Sequence, residues 1–302
     1  MNVLFISNDP SVFVDGTPTR ERVRTYAKHI ADEGGELHIL TRARATVTID
    51  DGSLHLHSVR TGKLLSPFVL ARAGKKLIES HAINIVSAQD PFEHGIASLW
   101  AVRGTKAKLH VQAHTDFLSP WFTRSGIYRS PKVRMPLLNR MRVRIADRVL
   151  PRADGIRVVS ERIRDSITSK YGQAVPQPSV IPIPVPTEVA PKVEFPPHAF
   201  KFALLSVGRL EPEKRIEDIL AAVARLKDVY PSLGLFLANT GREEKKLKRM
   251  ARALGIADRV VFLGHRPDVR GLMRSAQAFI QASSYEGYGM ALIEAALARL
   301  PI

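Results

Sequence analysis

Short apolar runs alternate with segments of helical periodicity through the first half of the chain. Candidate strands lie at 3–6, 36–40, 83–88, 108–112 and 155–159. Thr17 and Pro18 suit the start of a helix, and apolar residues then recur at three- and four-residue intervals as far as Gly34. The alternation predicts βαβ units around a parallel sheet, with a ligand site beyond the carboxyl ends of the strands.

The alternation restarts after a proline-rich stretch. Eight of the 20 prolines fall between positions 176 and 197, where they prevent helices and central strands. Further strands are expected at 202–207, 233–238, 259–263 and 278–281, and a last helix near Gly289. We predict an α/β protein with two mostly parallel sheets: an N-terminal Rossmann-like domain (1–180), a Pro-rich linker (181–200) and a C-terminal Rossmann-like domain (201–302).

Composition supports two globular domains and adds an unusual charge. The 302 residues are 45% hydrophobic and 25% charged, which is ordinary for a globular chain of about two domains. The absence of cysteine excludes disulfides and thiolate metal sites. Neither a signal-peptide pattern nor about 18 consecutive apolar residues occurs, so a cytoplasmic location is expected. The net charge of +16 is expected to attract polyanions such as nucleic acid, anionic lipid or phosphorylated substrates.

The segment 283–294 has the chemistry of an anion and sugar site. Gly287 and Gly289 stand at the mouth of the last helix, where unobstructed N–H groups and the helix dipole favour a phosphate. Glu286 and Glu294 flank the first two turns and can accept hydrogen bonds from sugar hydroxyls. An ordinary strand-to-helix turn with two solvated glutamates is the alternative interpretation.

This segment resembles the signature of the retaining GT-B glycosyltransferases of family 4. The shared pattern is a serine, a glutamate, Gly-aromatic-Gly with Tyr288 as the aromatic residue, and a second glutamate after seven intervening residues. The resemblance implies two Rossmann-like domains that face a central cleft. It also implies that Glu286 contacts hydroxyls of the donor sugar and Glu294 the ribose of the nucleotide.

The loop from Gly208 to Arg215, after the first strand of the second domain, is similar to the Gly-Arg-Leu…Lys segment of that family. A guanidinium and an ammonium group that converge there can neutralise a diphosphate. By resemblance, Arg209 and Lys214 stabilise the departing nucleotide diphosphate in place of a metal ion, so no metal or cofactor is expected. Solvated side chains at a helix start are the alternative.

The first domain offers weaker signals. His114 follows a predicted strand and is similar to the histidine that the family places beside the reacting sugar, although a surface or packing role is the alternative. Gly16 occupies the position of a Gly-Gly loop of which only one glycine is present. Asp90, at the end of another strand, is a candidate for the acceptor side or for loop architecture. In the second domain only Gly241 matches the family's Gly-any-Gly-Pro turn.

A basic stripe runs from 129 to 170. It contains twelve Lys and Arg residues against four acidic residues, with apolar residues such as Leu137 and Met141 interleaved. The stripe could lie on an anionic membrane surface, as in similar enzymes that act on lipid-linked acceptors. A solvated helix face is the alternative. Nucleic acid is not expected as a partner, because no stacking or recognition-helix module accompanies the charge.

We therefore predict a glycosyltransferase that moves a sugar from a nucleotide-diphosphate sugar to a glycan or lipid-linked acceptor in cell-envelope polysaccharide synthesis, with retention of anomeric configuration. Family members continue for several more elements, so the second domain is expected to be incomplete. The alternatives are an inactive fragment, half of a split enzyme, or an epimerase or phosphorylase of the same fold. The expected catalytic residues are His114, Arg209, Lys214 and Glu286. The expected donor-binding residues are Gly16, Gly208, Gly241, Gly287, Tyr288, Gly289 and Glu294.

Overall fold

A computed structural model describes residues 1–123, 136–197 and 199–302. The chain forms two compact units, which meet in sequence between Pro182 and Ile183. Each unit contains a largely parallel sheet with helices packed on it. No helix in the described ranges is both long and apolar enough to cross a bilayer.

The first unit is built on an eight-stranded sheet of order β3-β4-β2-β1-β5-β6-β7-β8. The strands are β1 (Val3–Ser7), β2 (Leu37–Ala43), β3 (Thr48–Asp51), β4 (Leu54–Arg60), β5 (Ile85–Ala88), β6 (Lys108–Ala113), β7 (Gly155–Val158) and β8 (Ser179–Val180). The helices are α1 (Pro18–Asp32), α2 (Ser66–Ser80), α3 (Glu93–Val102), α4 (Pro120–Thr123), α5 (Pro136–Val149) and α6 (Glu161–Tyr171). The β3–β4 pair is antiparallel, and the other strand pairs are parallel.

The alternation of side chains along β2 divides the core between the two faces of this sheet. Leu37 and Ile39 belong to the apolar cluster that Val23 and Ala27 of α1 cover. Leu40 belongs to the cluster on the other face, under α2 and α3. On that face Gly74 is closely packed: a Cβ there would lie 3.3 Å from the side chains of Ala101 and Ile6, which would have to shift by a few tenths of an ångström.

The second unit carries a four-stranded parallel sheet of order β11-β10-β9-β12. The strands are β9 (Phe202–Val207), β10 (Leu233–Ala238), β11 (Val260–Gly264) and β12 (Ala278–Phe279). The helices are α7 (Ile216–Leu226), α8 (Glu244–Ala253), α9 (Val269–Met273) and α10 (Met290–Leu297). Every residue of β10 is buried, because α7 and α8 contribute to the core on one side and α9 and α10 to the core on the other.

The proline-rich segment packs against α9 of the second unit. Arg274 donates to the carbonyl of Ala190 at 2.6 Å, and the N–H of Val193 donates to the carbonyl of Gly271 at 3.3 Å. A side chain at Gly271 would clash, since its Cβ would lie 2.5 Å from the Val193 side chain. Arg270 also donates to the carbonyl of Pro186 at 2.9 Å, so residues 186–193 are anchored through their own backbone carbonyl and N–H groups.

Candidate functional site

Two loops at the carboxyl ends of β9 and β10 are packed backbone against backbone. The N–H of Leu210 donates to the carbonyl of Thr240 at 3.0 Å, and the N–H of Glu243 donates to the carbonyl of Leu210 at 3.0 Å. A Cβ at Gly241 would lie 2.3 Å from the Leu210 carbonyl oxygen. Glycine is therefore needed at position 241 to let the β10 loop support the β9 loop.

Lys214 is held at this edge of the sheet by an unusual local backbone. Pro212–Lys214 forms one turn of 3-10 helix, and Arg215 then adopts a left-handed conformation with φ of 49° at the start of α7. This turn brings Lys214 back over Gly208, where a Cβ would lie 3.4 Å from the Lys214 Cε atom. The Lys214 ammonium pairs with the Glu286 carboxylate at 2.5 Å.

Glu286 ties the loop before α10 to the loop after β9. Its Oε1 atom also accepts a hydrogen bond from Gln281 at 2.6 Å. Ser284 strengthens the connection, because its backbone N–H and its hydroxyl both donate to the carbonyl of Glu213, at 2.9 and 3.2 Å. The side chains of Lys214 and Glu286 are only 18% and 25% exposed, so the pair is partly shielded from water and its charges interact more strongly than a surface pair.

The N-cap of α10 follows Glu286 by three residues. It is Gly289, with φ of 80° and ψ of 40°, a conformation that favours glycine. No side chain of the described residues caps this helix. Since the first N–H groups of a helix have no partner within the helix, they are available to an anion. Gly287 and Tyr288 are partly buried in the loop that leads to this cap.

Arg209 and Glu294 have other surroundings. Arg209 is 69% exposed and contacts Glu213 at 3.4 Å. Glu294 lines a cavity of about 280 Å³, which is also bordered by Arg270, Arg274 and residues 187–190. Burial raises the pKa of Glu294, and the nearby charge of Arg270 opposes that effect. The predicted donor residues are thus divided between a polar loop cluster and a separate cavity.

His114 follows β6, Asp90 follows β5, and Gly16 lies in the loop between β1 and α1. Burial lowers the pKa of His114 and Arg157 lowers it further, so the imidazole is neutral at neutral pH. Asp90 accepts from the N–H of Phe92 at 2.7 Å and also bonds His94 at the start of α3. Gly16 has a positive φ of 73°, and among the described residues a Cβ there would meet open space beyond its chain neighbours.

The basic stripe is spread over several elements. Arg129, Lys132 and Arg134 lie outside the described residues. Several of the other basic residues are paired within the first unit: Arg142 with Glu93 at 2.9 Å, and Lys170 with Asp147 at 2.5 Å. On α5, an exposed surface remains that contains Leu137, Leu138, Arg140, Met141, Arg144 and Arg148.

Profiles of two glycosyltransferase families match the chain. Residues 20–189 match the family described as Glycosyltransferase Family 4, and residues 194–302 match Glycosyl transferases group 1. The chain belongs to glycosyltransferase family 4.

Among curated relatives, this family 4 chain is 30% identical to glycogen synthase of Mycobacterium tuberculosis over 152 residues, which is 50% of this chain and 37% of that enzyme. It is 33% identical to the uncharacterized glycosyltransferase YqgM of Bacillus subtilis over 144 residues, 47% of this chain and 39% of that protein. The matches thus span well under half the length of these relatives.

Solved structures confirm the fold class. Anabaena Alr3699/HepE in complex with UDP and glucose superposes with a TM-score of 0.69 at 18% identity, covering 100% of this chain and 79% of that one. The lipopolysaccharide outer core galactosyltransferase WaaB gives 0.67 at 18% identity, with the same coverage. The family 4 chain therefore has the α/β GT-B fold that the sequence predicts.

Proposed function

We propose that this chain binds a nucleotide-diphosphate sugar in its second unit and transfers the sugar to an acceptor. The observation that supports this most directly is the contact between Lys214 and Glu286 next to the uncapped start of α10. Three groups occur in loops at the carboxyl ends of parallel strands: a cation that can bind phosphate, a carboxylate that can bind sugar hydroxyls, and a helix N-terminus that can bind an anion. The complex of Alr3699/HepE with UDP and glucose makes a UDP-hexose the first donor to test.

In this proposal Lys214 and Arg209 neutralise the diphosphate as it leaves, without a metal ion. Lys214 exchanges its bond to Glu286 for a phosphate oxygen, and Glu286 then accepts from a hydroxyl of the donor sugar. Arg209, which is mostly exposed, is able to swing onto the second phosphate. Positioning and stabilisation of developing charge supply the rate enhancement.

The acceptor side is assigned to the first unit. We propose that the neutral imidazole of His114 lies near the anomeric centre, that configuration is retained, and that the acceptor is a glycan or a lipid-linked glycan. The name of WaaB and the role in lipopolysaccharide core synthesis of the relative LpsE of Rhizobium meliloti, 34% identical over 91 residues, support a cell-envelope acceptor. The exposed α5 surface, with Leu137 and Met141 between arginines, fits an anionic membrane.

The proposal is tested by incubating the chain with an oligosaccharide acceptor and UDP-glucose, UDP-galactose or UDP-N-acetylglucosamine, while UDP release and the anomeric NMR signals of the new glycosidic bond are followed. Glu286→Gln should lower kcat/KM by about 10- to 150-fold, since a hydrogen bond to a charged group is worth about 1.5–3 kcal/mol. Glu79→Gln, an exposed position in α2, serves as the matched control. Unchanged kcat/KM in Glu286→Gln would contradict its role, and an inverted product would contradict retention.

A further inference from the structure

Four histidines of the first unit form a cluster toward the amino ends of β2 and β4, whereas His114 follows the carboxyl end of β6. His38 and His55 lie near the starts of β2 and β4, His57 lies two residues further along β4, and His81 caps the end of α2. The ring of His38 is 4.6 Å from that of His55 and 4.4 Å from that of His81, between centroids. The carboxylate of Glu36, just before β2, borders the same group. We call these five residues the histidine cluster.

The strand register explains why the rings converge. His38 pairs with His55 and Leu40 pairs with His57 in the parallel β2–β4 ladder. Side chains at alternate positions point to one face, so His38, His55 and His57 share the face that α2 covers. His81 reaches the same place because α2 ends there, where the N–H of His81 donates to Leu77 at 2.9 Å.

Two of the rings are oriented by a hydrogen bond at Nδ1. His55 Nδ1 bonds the carboxylate of Asp50 at 2.6 Å, and His38 Nδ1 bonds His57 Nε2 at 3.1 Å. When Nδ1 donates, Nε2 presents a lone pair. A carboxylate that accepts the distal N–H of a histidine is the usual support for a metal-binding imidazole.

The opposite nitrogens, Nε2 of His38 and Nε2 of His55, are buried and have no hydrogen-bond partner within the described part of the chain. They lie 3.5 and 3.7 Å from the same Glu36 oxygen. These separations approach the edge of a tetrahedron, roughly 3.4 Å for metal–ligand bonds of about 2.0–2.2 Å. The ligand atoms of Glu36, His38 and His81 all lie within 4.8 Å of one another. Since buried polar atoms seldom lack a partner, this arrangement fits an ion at their centre.

Two carboxylates border the rings. One oxygen of Glu36 lies 3.5 Å from His38 Nε2 and 3.7 Å from His55 Nε2. The carboxylate of Asp50 bonds His55 Nδ1 at 2.6 Å. Carboxylate oxygens and imidazole nitrogens, both of which are ligands for a divalent cation, therefore meet at one place.

We propose that Glu36, His38 and His81, whose ligand atoms lie within 4.8 Å of one another, bind one divalent zinc ion, with His55, Asp50 and His57 as positioning residues. Imidazole nitrogens with one carboxylate are ligands that zinc prefers, and three of them leave the fourth position of a tetrahedral site open. The ion joins the start of β2 to the end of α2. The sequence predicted no metal, and this site shares no residue with the candidate sugar chemistry, so the proposal stands independently of the proposed function.

The test uses the tag-free 302-residue chain after removal of metals by chelator dialysis. Competition with a chromophoric zinc chelator should show one tightly bound zinc per chain, and a hundredfold excess over Kd should raise Tm by about 5–11 °C. Co²⁺ in place of zinc should give the visible absorption of a tetrahedral site. Glu36→Gln and His81→Gln should weaken zinc binding by at least about 100-fold, and Asp50→Asn by about 10- to 100-fold.

Matched controls are Glu33→Gln, Asp32→Asn and His29→Gln, at exposed positions around the end of α1. Glu36 has a half-exposed side chain, so its substitution should leave the fold intact, which circular dichroism will verify. Absence of stoichiometric zinc binding would overturn the proposal. Equal affinity in Glu36→Gln and Glu33→Gln, with folded proteins, would overturn it as well.

Discussion

Substitution of Arg209 by alanine separates ligand binding from stability. The side chain is 69% exposed and its described ion pair, with Glu213, spans 3.4 Å. An exposed pair of this kind contributes about 0–1 kcal/mol, so Arg209→Ala should change the free energy of unfolding by less than about 0.5 kcal/mol. If Arg209 reaches the diphosphate, the same change removes a charged hydrogen bond worth about 1.5–3 kcal/mol. At about 1.4 kcal/mol per factor of ten, Kd for UDP should rise about 10- to 150-fold.

Isothermal titration calorimetry with UDP measures this change directly. Arg225→Ala is the matched control, because Arg225 is an exposed arginine near the end of α7 in the same unit. Urea unfolding of all three proteins checks that stability is unaffected. A Kd for UDP in Arg209→Ala within twofold of that in Arg225→Ala would refute the assignment of Arg209 to the diphosphate.

Three further predictions follow from other parts of the molecule. The double variant Leu137→Ser, Met141→Ser should bind phosphatidylglycerol vesicles less well than the parent in a flotation assay, and neither of the two proteins should bind phosphatidylcholine vesicles. Equal flotation of the variant and the parent would exclude α5 as the docking surface. Burial raises the pKa of Glu294, so the folded state binds its proton more tightly than the unfolded state. The stability that this group contributes is present below its unfolded-state pKa of about 4.5 and is lost as pH rises through its folded-state pKa. Glu294→Gln should therefore gain stability relative to the parent between pH 4 and 7, as measured by urea unfolding. A stability difference that does not change with pH would contradict the burial of the carboxyl group. Chelation with EDTA should lower Tm of the zinc-loaded chain but leave its rate of sugar transfer at 25 °C unchanged, whereas loss of transfer that Mg²⁺ restores would contradict metal-independent departure of the diphosphate.

Two second-unit strands could be predicted residue by residue because each is a continuous apolar run. β9 and β10 occupy the predicted residues, since both are buried between two layers of helices. β11 begins at Val260, one residue later than predicted, and β12 ends at Phe279, two residues before the predicted end. The β3–β4 hairpin was not predicted. Polar residues occupy alternate positions in β4, where His55 and His57 belong to the histidine cluster, so the strand lacks the apolar run that identified the others.

The site could be predicted only in part. The glycines and charged residues of the two loops are recognisable because they are close in sequence within each loop. The Lys214–Glu286 contact joins residues 72 positions apart, and its distance depends on the left-handed turn at Arg215. Gln281, which donates to Glu286, carries no sequence signal of its own. The His55-Leu56-His57 alternation was the available signal for the histidine cluster. His81 could not be added to it from sequence, because its position depends on where α2 ends.

The paired state of Lys214 and Glu286 has a consequence for donor binding. An unpaired charge in a partly buried loop is costly, and each of the two groups satisfies the other while no ligand is bound. A bound donor must therefore give both residues a new partner at once: a phosphate oxygen for Lys214 and a sugar hydroxyl for Glu286. We infer that UDP alone binds less favourably than its phosphate contacts suggest, because it takes the ammonium group of Lys214 away from the carboxylate of Glu286. Adding the sugar should improve affinity in the parent, and Glu286→Gln, which has no charge to satisfy, should bind UDP more tightly and UDP-sugar more weakly than the parent does. Parallel weakening of both ligands would show that Glu286 only supports the loop.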